Sequence, residues 1–476
     1  MICGNPQLGW TTPDVLCMRR RLALCALLPL LVLVSCQKGI TMWDACSTAP
    51  GTDPTGTDGT YVLVCRDGRW EPLMTNDEFI ARSRGSDAPI APLPQQTASP
   101  TSSTTTTTAA PPLGWASVAA GTAHTCALTT AGAVKCWGKN SYGQLGNGSD
   151  DYTSNVPVDV TGLNTGVTAI AAGDTFTCAV AAGAAKCWGI NSYGQLGNGS
   201  DDYTSNVPVD VTGLNTGVTA IATGGNHACA VVNRATKCWG MNSYGQLGNG
   251  SDDYTSNVPV DVTGLDTGVT AIAAGKDHSC AVVSGAAKCW GMNSRGQLGN
   301  GSDDYTSNVP VDVTGLNTGV TFIAAGDTFT CAVAAGAAKC WGINSYGQLN
   351  SGSDDYTSKV PVDVTGLNTG VTAIATGDTD DIDESSAHAC AVVAGAARCW
   401  GRNSRGQLGN GSDDYTSNVP VDVTGLDTGV TAIATGADHS CAVASGAAWC
   451  WGFNGYGQLG NGSDDYTSNV PVNIPI

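Results

Sequence analysis

The phrase "CWGINSYGQLGNGSDDYTSNVPVDVTGL" starts at Cys187, and near copies follow Cys136, Cys238, Cys289, Cys340 and Cys399, with a shortened copy after Cys450. The Trp of "CWG" stands at 137, 188, 239, 290, 341, 400 and 451, so the step is 51 residues five times and 59 once. Periods of this size mark propellers or solenoids. One unit reads as four short strands, around "VTAIAAG", "TCAVA", "AAKCWG" and "VPVDVTG", parted by Gly, Asn and Asp turns. No helical periodicity competes. A lone four-stranded sheet cannot bury both faces, whereas seven closed in a ring bury their faces on each other and protect their edges. The fold expected for 113–476 is therefore all-β, a seven-bladed propeller of four-stranded blades. The array opens at "WASVAAG" and ends at "VPVNIPI". These orphan strands are expected to complete one blade together, Val470–Ile474 pairing beside Ala116–Ala120.

The words "G-x-x-H-x-C-A-(L/V)", then "(K/R)CWG-x-N-x-x-GQLGNG", then "VPV", resemble the regulator of chromosome condensation repeat, and they recur from Trp115 to Ile476. The resemblance implies a seven-bladed propeller and leaves function open. The family's founding member is a nuclear guanine-nucleotide exchange factor. A plant light receptor and a secreted bacterial β-lactamase inhibitor are also relatives.

Upstream, Met18 precedes Arg19, Arg20 and Arg21, the apolar run "LALCALLPLLVL", and "VSC" ending at Cys36. This order is that of an export signal, expected over 1–35 with Met18 as an alternative start. Leu33-Val34-Ser35-Cys36 resembles a bacterial lipobox, which implies cleavage before Cys36 and acylation of its thiol. Gln37 in place of Asp then points to the outer membrane of a bacterial envelope, secretion being the alternative. Residues 36–92 form a small segment with the pair Cys46 and Cys65 and a hairpin-like "YVLVCRDGRW". Residues 93–112 are a Pro/Ser/Thr-rich linker that cannot build a core and is expected to be disordered. With 21 Lys plus Arg against 40 Asp plus Glu, nucleic acid is excluded as a partner, because its phosphates would be repelled.

Each unit carries two cysteines: Cys126 and Cys136, Cys178 and Cys187, Cys229 and Cys238, Cys280 and Cys289, Cys331 and Cys340, Cys390 and Cys399, and Cys441 and Cys450. A two-residue turn at Ala182-Gly183 puts Cys178 opposite Cys187 at a non-hydrogen-bonded site, where Cα atoms lie ~4.5 Å apart. The first pair has one more intervening residue, which fits a three-residue turn containing Gly132. In an exported chain this favours seven stapled hairpins, from Cys126–Cys136 to Cys441–Cys450, over paired metal thiolates.

The histidines His124, His227, His278, His388 and His439 each precede a Cys by two, but one per unit reads as a scaffold position more than as zinc ligands. Repeated pairs such as Asp150-Asp151 read as solvated loop, with calcium as the weaker alternative. The insertion in the sixth unit holds Asp378, Asp380, Asp381, Asp383 and Glu384 at partial calcium-loop spacing, but lacks the turn glycine. No other cofactor is expected. The changed letters are more informative. Lys139, Ile190, Met241, Met292, Ile343, Arg402 and Phe453 follow "WG", and three further on stand Tyr142, Tyr193, Tyr244, Arg295, Tyr346, Arg405 and Tyr456. The triplets before the second-strand Cys differ too: "TAH", "DTF", "GNH", "KDH". Tyr and Arg near loops are what binding faces use, so the second series is the expected one. No nucleophile–base pair or phosphate loop emerges. The expected function is a monomeric, non-catalytic, lipid-anchored propeller that binds a protein or glycan through one rim. An extracellular enzyme on the same scaffold is one alternative, and nucleotide exchange by family analogy is another.

Overall fold

The structure, a computed structural model, describes residues 113–377 and 387–476, together with the backbone of Thr55–Thr57, Tyr61–Arg66 and Arg69–Thr75. Acylation at Cys36, the Cys46–Cys65 pairing, the linker and the acidic candidates Asp378, Asp380, Asp381, Asp383 and Glu384 lie outside the described residues. The chain divides into two units, 1–107 and 108–476. In the first, Tyr61–Arg66 and Arg69–Thr75 pair antiparallel with Arg66 opposite Arg69, and Thr55–Thr57 adds a third strand; the expected Asp67-Gly68 turn lies outside the described residues. Among the described residues no helix is long and apolar enough to cross a membrane.

The second unit holds seven four-stranded antiparallel sheets, each a blade. Blade 1 runs from Trp115 to Asp159, blade 2 from Val167 to Asp210, blade 3 from Val218 to Asp261, and blade 4 from Val269 to Asp312. Blade 5 runs from Val320 to Asp363, blade 6 from Val371 to Asp422, and blade 7 from Val430 to Ile474. In every blade the four strands are consecutive in sequence. This corrects the expected closure. Thr467–Ile474 pairs with Ala447–Phe453 of its own blade, and Trp115–Ala120 pairs with His124–Thr129. The two end strands are not orphans. They are the fourth strand of the last blade and the first strand of the first, so the array is seven whole units beginning at "VTAIAAG".

The ring closes by sheet packing instead. First strands of successive blades touch all the way round, including those of blades 7 and 1. The core lies between blades: Trp115, Val118, Ala127 and Trp137 of blade 1 share one cluster with Val443, Ala448, Leu459 and Ile474 of blade 7. The other clusters likewise span neighbours, and each places a "CWG" Trp against the preceding blade. All seven "CWG" tryptophans are fully buried. Each donates its indole N–H across the boundary, as Trp188 does to the Gln144 carbonyl at 2.9 Å. That polar tip is thereby satisfied while the ring contributes apolar burial.

Two glycine positions explain why the words repeat so strictly. The Gly after Trp has φ near +100° (Gly138, Gly240 and Gly452 among them), and a Cβ there would press on the second strand. The Gly ending each first strand lies on the axis. A Cβ on Gly121 would meet the carbonyl of Gly173, one on Gly173 that of Gly224, and so on round to Gly436, whose Cβ would meet Gly121. Seven backbones converge only because these seven residues lack side chains.

Candidate functional site

Antiparallel order puts the loops between strands one and two, and between strands three and four, on the same face. The hairpins between strands two and three, and the connectors between blades, lie on the other. The changed letters thus fall together. The triplets lie at the axis, beside the glycine ring, while Lys139, Tyr142 and their equivalents belong to the outer loops of that same face. The opposite face repeats "TGLNTG" or "TGLDTG" and small hairpins, with Asn233-Arg234 as its main departure.

The hairpins of that opposite face are stapled as expected. In the structure Cys126–Cys136, Cys178–Cys187, Cys229–Cys238, Cys280–Cys289, Cys331–Cys340, Cys390–Cys399 and Cys441–Cys450 are all disulfide-bonded, with Cα atoms 4.0–4.1 Å apart. The Cα atoms stand slightly closer than the ~4.5 Å of an ordinary non-hydrogen-bonded pair. The fourteen cysteines are buried, so they act as scaffold and lie away from the variable loops.

The outer loop is held from beneath. Asn140 is buried, its amide donates to the Ser149 and Asp151 carbonyls at 3.2 and 2.8 Å, and its oxygen accepts from Leu145 N–H at 3.0 Å. Asn191, Asn242, Asn293, Asn344, Asn403 and Asn454 repeat this pattern. The loop is thus preorganised in every blade. The second Asp of each pair is satisfied locally, as Ser149 Oγ donates to Asp151 at 2.7 Å. The first reaches outward: Asn308 of blade 4 donates to Asp252 of blade 3 at 3.4 Å.

The Tyr/Arg series is brought together as a belt that crosses every boundary between blades. Tyr142 meets Tyr203, Tyr193 meets Tyr254, Tyr244 meets Tyr305, Tyr346 meets Tyr415, and Tyr456 meets Tyr152, with ring centroids 6.2–6.4 Å apart. Arg295 lies over Tyr356 at 5.9 Å, and Arg405 over Tyr466 at 5.7 Å, which completes the circle. The partner tyrosines, 152 to 466 at the end of each "SDDY", are 54–59% exposed. Sequence reading left these seven in the solvated loop. Their signal was a constant offset into the following unit, visible only once neighbouring blades are known to touch. The residues after "WG" divide: Ile190 and Ile343 are buried, whereas Arg402 and Phe453 join the belt through Tyr415 and Tyr466.

At the axial mouth, Thr122 donates to Asp174 at 2.9 Å and Lys276 pairs with Asp327 at 3.4 Å. Burial, with Asp327 and Asp174 nearby, pushes Asp277 up to about 6 against the pull of Lys276. The histidines do not converge on a metal. Each sits in its own blade and bonds a hydroxyl of the next: His124 to Thr177, His227 to Ser279, His278 to Thr330, His388 to Ser440 and His439 to Thr125, at 2.7–2.8 Å. Among the described residues no group of three or more His, Cys, Asp or Glu could hold a metal ion.

The model of the "Regulator of chromosome condensation (RCC1) repeat" matches residues 131–180, 186–231, 238–282, 285–333, 395–443 and 445–476. The chain belongs to the RCC1-repeat family. Among curated relatives, the Ultraviolet-B receptor UVR8 of Arabidopsis thaliana is 31% identical over 72% of this chain and 78% of its own length. Human E3 ubiquitin-protein ligase HERC2 is 37% identical over 39% of this chain, and the match spans 4% of HERC2. Prp20p of Saccharomyces cerevisiae, solved with attention to its binding of Gsp1p and histones, superposes with a TM-score of 0.64 at 21% identity, covering 73% of this chain and 87% of its own. That likeness establishes the RCC1 propeller fold and nothing finer.

Proposed function

We propose that this RCC1-repeat chain is a non-catalytic binding propeller, exported and lipid-anchored at Cys36 in a bacterial envelope, that engages a protein or glycan through its loop face. One observation carries the reading: most charged and aromatic differences between units fall on that face, while the other varies chiefly at Asn233-Arg234 and in the Asn-to-Asp changes at Asp266 and Asp427. Scaffold positions had the same opportunity to diverge on both. The preorganised loops and the tyrosines of the belt supply rigid, rotamer-poor contact groups, which bind at low entropic cost, and the arginines add charge. The test is capture from envelope and medium by the oxidised full chain. A partner recovered by the parent and by Arg234→Gly, yet lost from a variant with Tyr142, Tyr193, Tyr244, Tyr346 and Tyr456 all changed to Ala, is the expected result. Equal recovery by all three would remove the loop face from the proposal. Anchoring is checked separately: Cys36→Ser is expected to move the chain from membrane to soluble fractions.

A second reading, an extracellular enzyme, draws on the axial mouth, where Asp277 is raised to about 6 beside Lys276. A carboxyl poised near neutrality is a general acid–base candidate. Hydrolytic activity on any screened substrate that vanishes in Asp277→Asn would support it.

A further inference from the structure

Beneath the belt, two congruent clefts open between blades. One, of about 470 Å³, lies between blades 3 and 4 and is lined by Tyr244, Asp252 and Tyr254 on one side and Ser307 and Asn308 on the other. Its counterpart between blades 7 and 1, about 430 Å³, presents Tyr456, Asp464, Tyr466, Ser154 and Asn155. In each, the Asn amide bonds the Asp carboxylate across the boundary at 3.4 Å. A Cβ on Gly245 or Gly457 would collide with the backbone of that Asn, so the two backbones approach closely only because these residues are glycine. The outer tyrosines, Tyr254 and Tyr466, are 57% and 58% exposed.

These walls restrict what can bind. No Lys, Arg or His lines either cleft, and the cleft between blades 7 and 1 differs in having Lys139 over the Tyr456 ring at 5.0 Å, so the lining the two share gives a phosphate or other anion no counter-charge. The lining is mainly polar, which disfavours an apolar guest. Each cleft offers one outward carboxylate, since the neighbouring Asp253 and Asp465 are bonded to their own serines, and a calcium ion takes six to eight oxygens. A neutral guest remains that combines hydroxyl groups with a C–H face. Vicinal hydroxyls match the Asp, Asn and Ser edges, and a ring of C–H bonds packs on an exposed Tyr.

We infer that the inter-blade clefts are neutral saccharide subsites, repeated around the ring for a polymeric glycan. This rests on the loop-face binding reading above and names its ligand class. The residue set recurs at blade boundaries 1/2 (Tyr142, Asp150, Tyr152, with Asn206), 2/3 (Tyr193, Asp201, Tyr203, with Asn257) and 5/6 (Tyr346, Asp354, Tyr356, with Asn418). It is broken at 4/5, where Arg295 replaces Tyr and Lys359 replaces Asn and pairs with Asp303, and at 6/7, where Arg405 replaces Tyr. Five complete subsites on one rigid ring give weak sites a shared effective concentration, so a polymer binds far more tightly than its monomer. Near-identity of the blades is then what one repeating ligand requires.

The experiment uses the oxidised full chain. Retention on immobilised neutral polymers (dextran, mannan, galactan, chitin) and on the acidic polymer polygalacturonate is measured beside saturation-transfer NMR with glucose, mannose, galactose and N-acetylglucosamine. The expected result is retention on at least one polymer, ~10²-fold tighter than its monosaccharide. Retention should fall at least ~10-fold in a variant with Tyr152, Tyr203, Tyr254, Tyr356 and Tyr466 all changed to Ala. Those side chains are exposed, and unchanged circular dichroism verifies the fold. Arg234→Gly, on the other face, should retain fully. Retention only on polygalacturonate would overturn the neutral class. Binding of no saccharide, with a protein partner still captured through the loop face, would overturn this inference and leave the binding propeller standing. Capture of neither would overturn both.

Discussion

Thr330 accepts a hydrogen bond from His278 at 2.8 Å and donates its own hydroxyl proton to the Gln297 carbonyl at 2.9 Å. A hydroxyl has one proton, so the histidine must carry hydrogen on Nε2, and burial, which lowers His278 to about 3, keeps the ring neutral. The same logic holds at Thr125, Thr177, Ser279 and Ser440. Where Phe176 and Phe329 replace His, the facing residue in the next blade is Ala228 or Ala389, in the same apolar clusters. Thus His always meets a hydroxyl and Phe always meets Ala. Thr330→Ala is expected to cost about 1–3 kcal/mol, since it strands a buried imidazole N–H. Adding His278→Phe should recover much of that loss, and a double-mutant cycle on denaturation midpoints measures the coupling. Burial holds His124, His227, His278 and His439 down at about 3, and Nδ1 of each has no partner. An unfolded chain takes up these protons near pH 6.5, whereas the folded chain refuses them until about pH 3. The stabilisation is therefore complete above pH 6.5 and falls as pH drops through that window, by up to ~1.4 kcal/mol per pH unit for each histidine. The His278→Phe, Thr330→Ala double variant should show a shallower loss of guanidinium midpoint between about pH 7 and pH 4.5 than the parent.

At the scale of the element, each blade is held by means of unequal worth. Ladders such as Lys186–Asp210 and Lys288–Asp312 cross from third to fourth strand, but they are exposed on the Asp side. Such pairs contribute roughly 0–1 kcal/mol. Blade 7 does without one, since Trp449 faces Asn473 there. The disulfides staple short hairpins, with sequence separations of 9 or 10 residues. Short loops restrict the unfolded chain little, so one bond contributes ~2–3 kcal/mol. Replacing Cys229 and Cys238 by Ala is expected to lower the thermal midpoint modestly and leave a single cooperative melt. The tight turns were readable beforehand: Ala182-Gly183 has positive φ at both residues, and blade 1 uses the longer turn with Gly132 at φ 81°. Four strands per unit, their order and their hairpins followed from β-branched runs and turn residues alone. The belt of paired tyrosines did not, because its partners lie in different units.

The whole molecule closes without exchanging a strand. The seam between blades 7 and 1 uses contacts found at other boundaries, Trp137 donating to the Gln458 carbonyl at 2.9 Å and His439 bonding Thr125, and adds one of its own, from the Trp115 indole N–H to the Ile474 carbonyl at 3.4 Å. The seam shares the packing of the other boundaries and exchanges no strand, so moving the chain ends should cost little. A permutant opened before Val218, with the old ends joined by a connector like residues 160–166, is expected to melt within a few degrees of the parent. Collapse of its melting temperature would mean that the terminal strands clasp the ring after all. The expectation that they do came from a choice of frame. A cyclic repeat can be cut at any strand, and nothing in the words themselves marks which cut coincides with a sheet.

What the sequence determined by itself was whatever is local or repeated. The period and strand count set seven blades, and the spacing of Cys178 and Cys187 set a facing pair that recurs at Cys280 and Cys289, Cys331 and Cys340, and Cys390 and Cys399. Positions of Gly, Trp and Asn set where side chains are forbidden, buried or used as struts. Only the tertiary structure decided which residues of one unit meet which of the next. Tyr244 reaches Tyr305, His278 reaches Thr330, and Asp252 reaches Asn308, each over 50 residues away in sequence. Those contacts form through ring closure, which brings equivalent edges of different blades together. The candidate clefts exist only at the resulting seams, so no single repeat, however closely read, contains one.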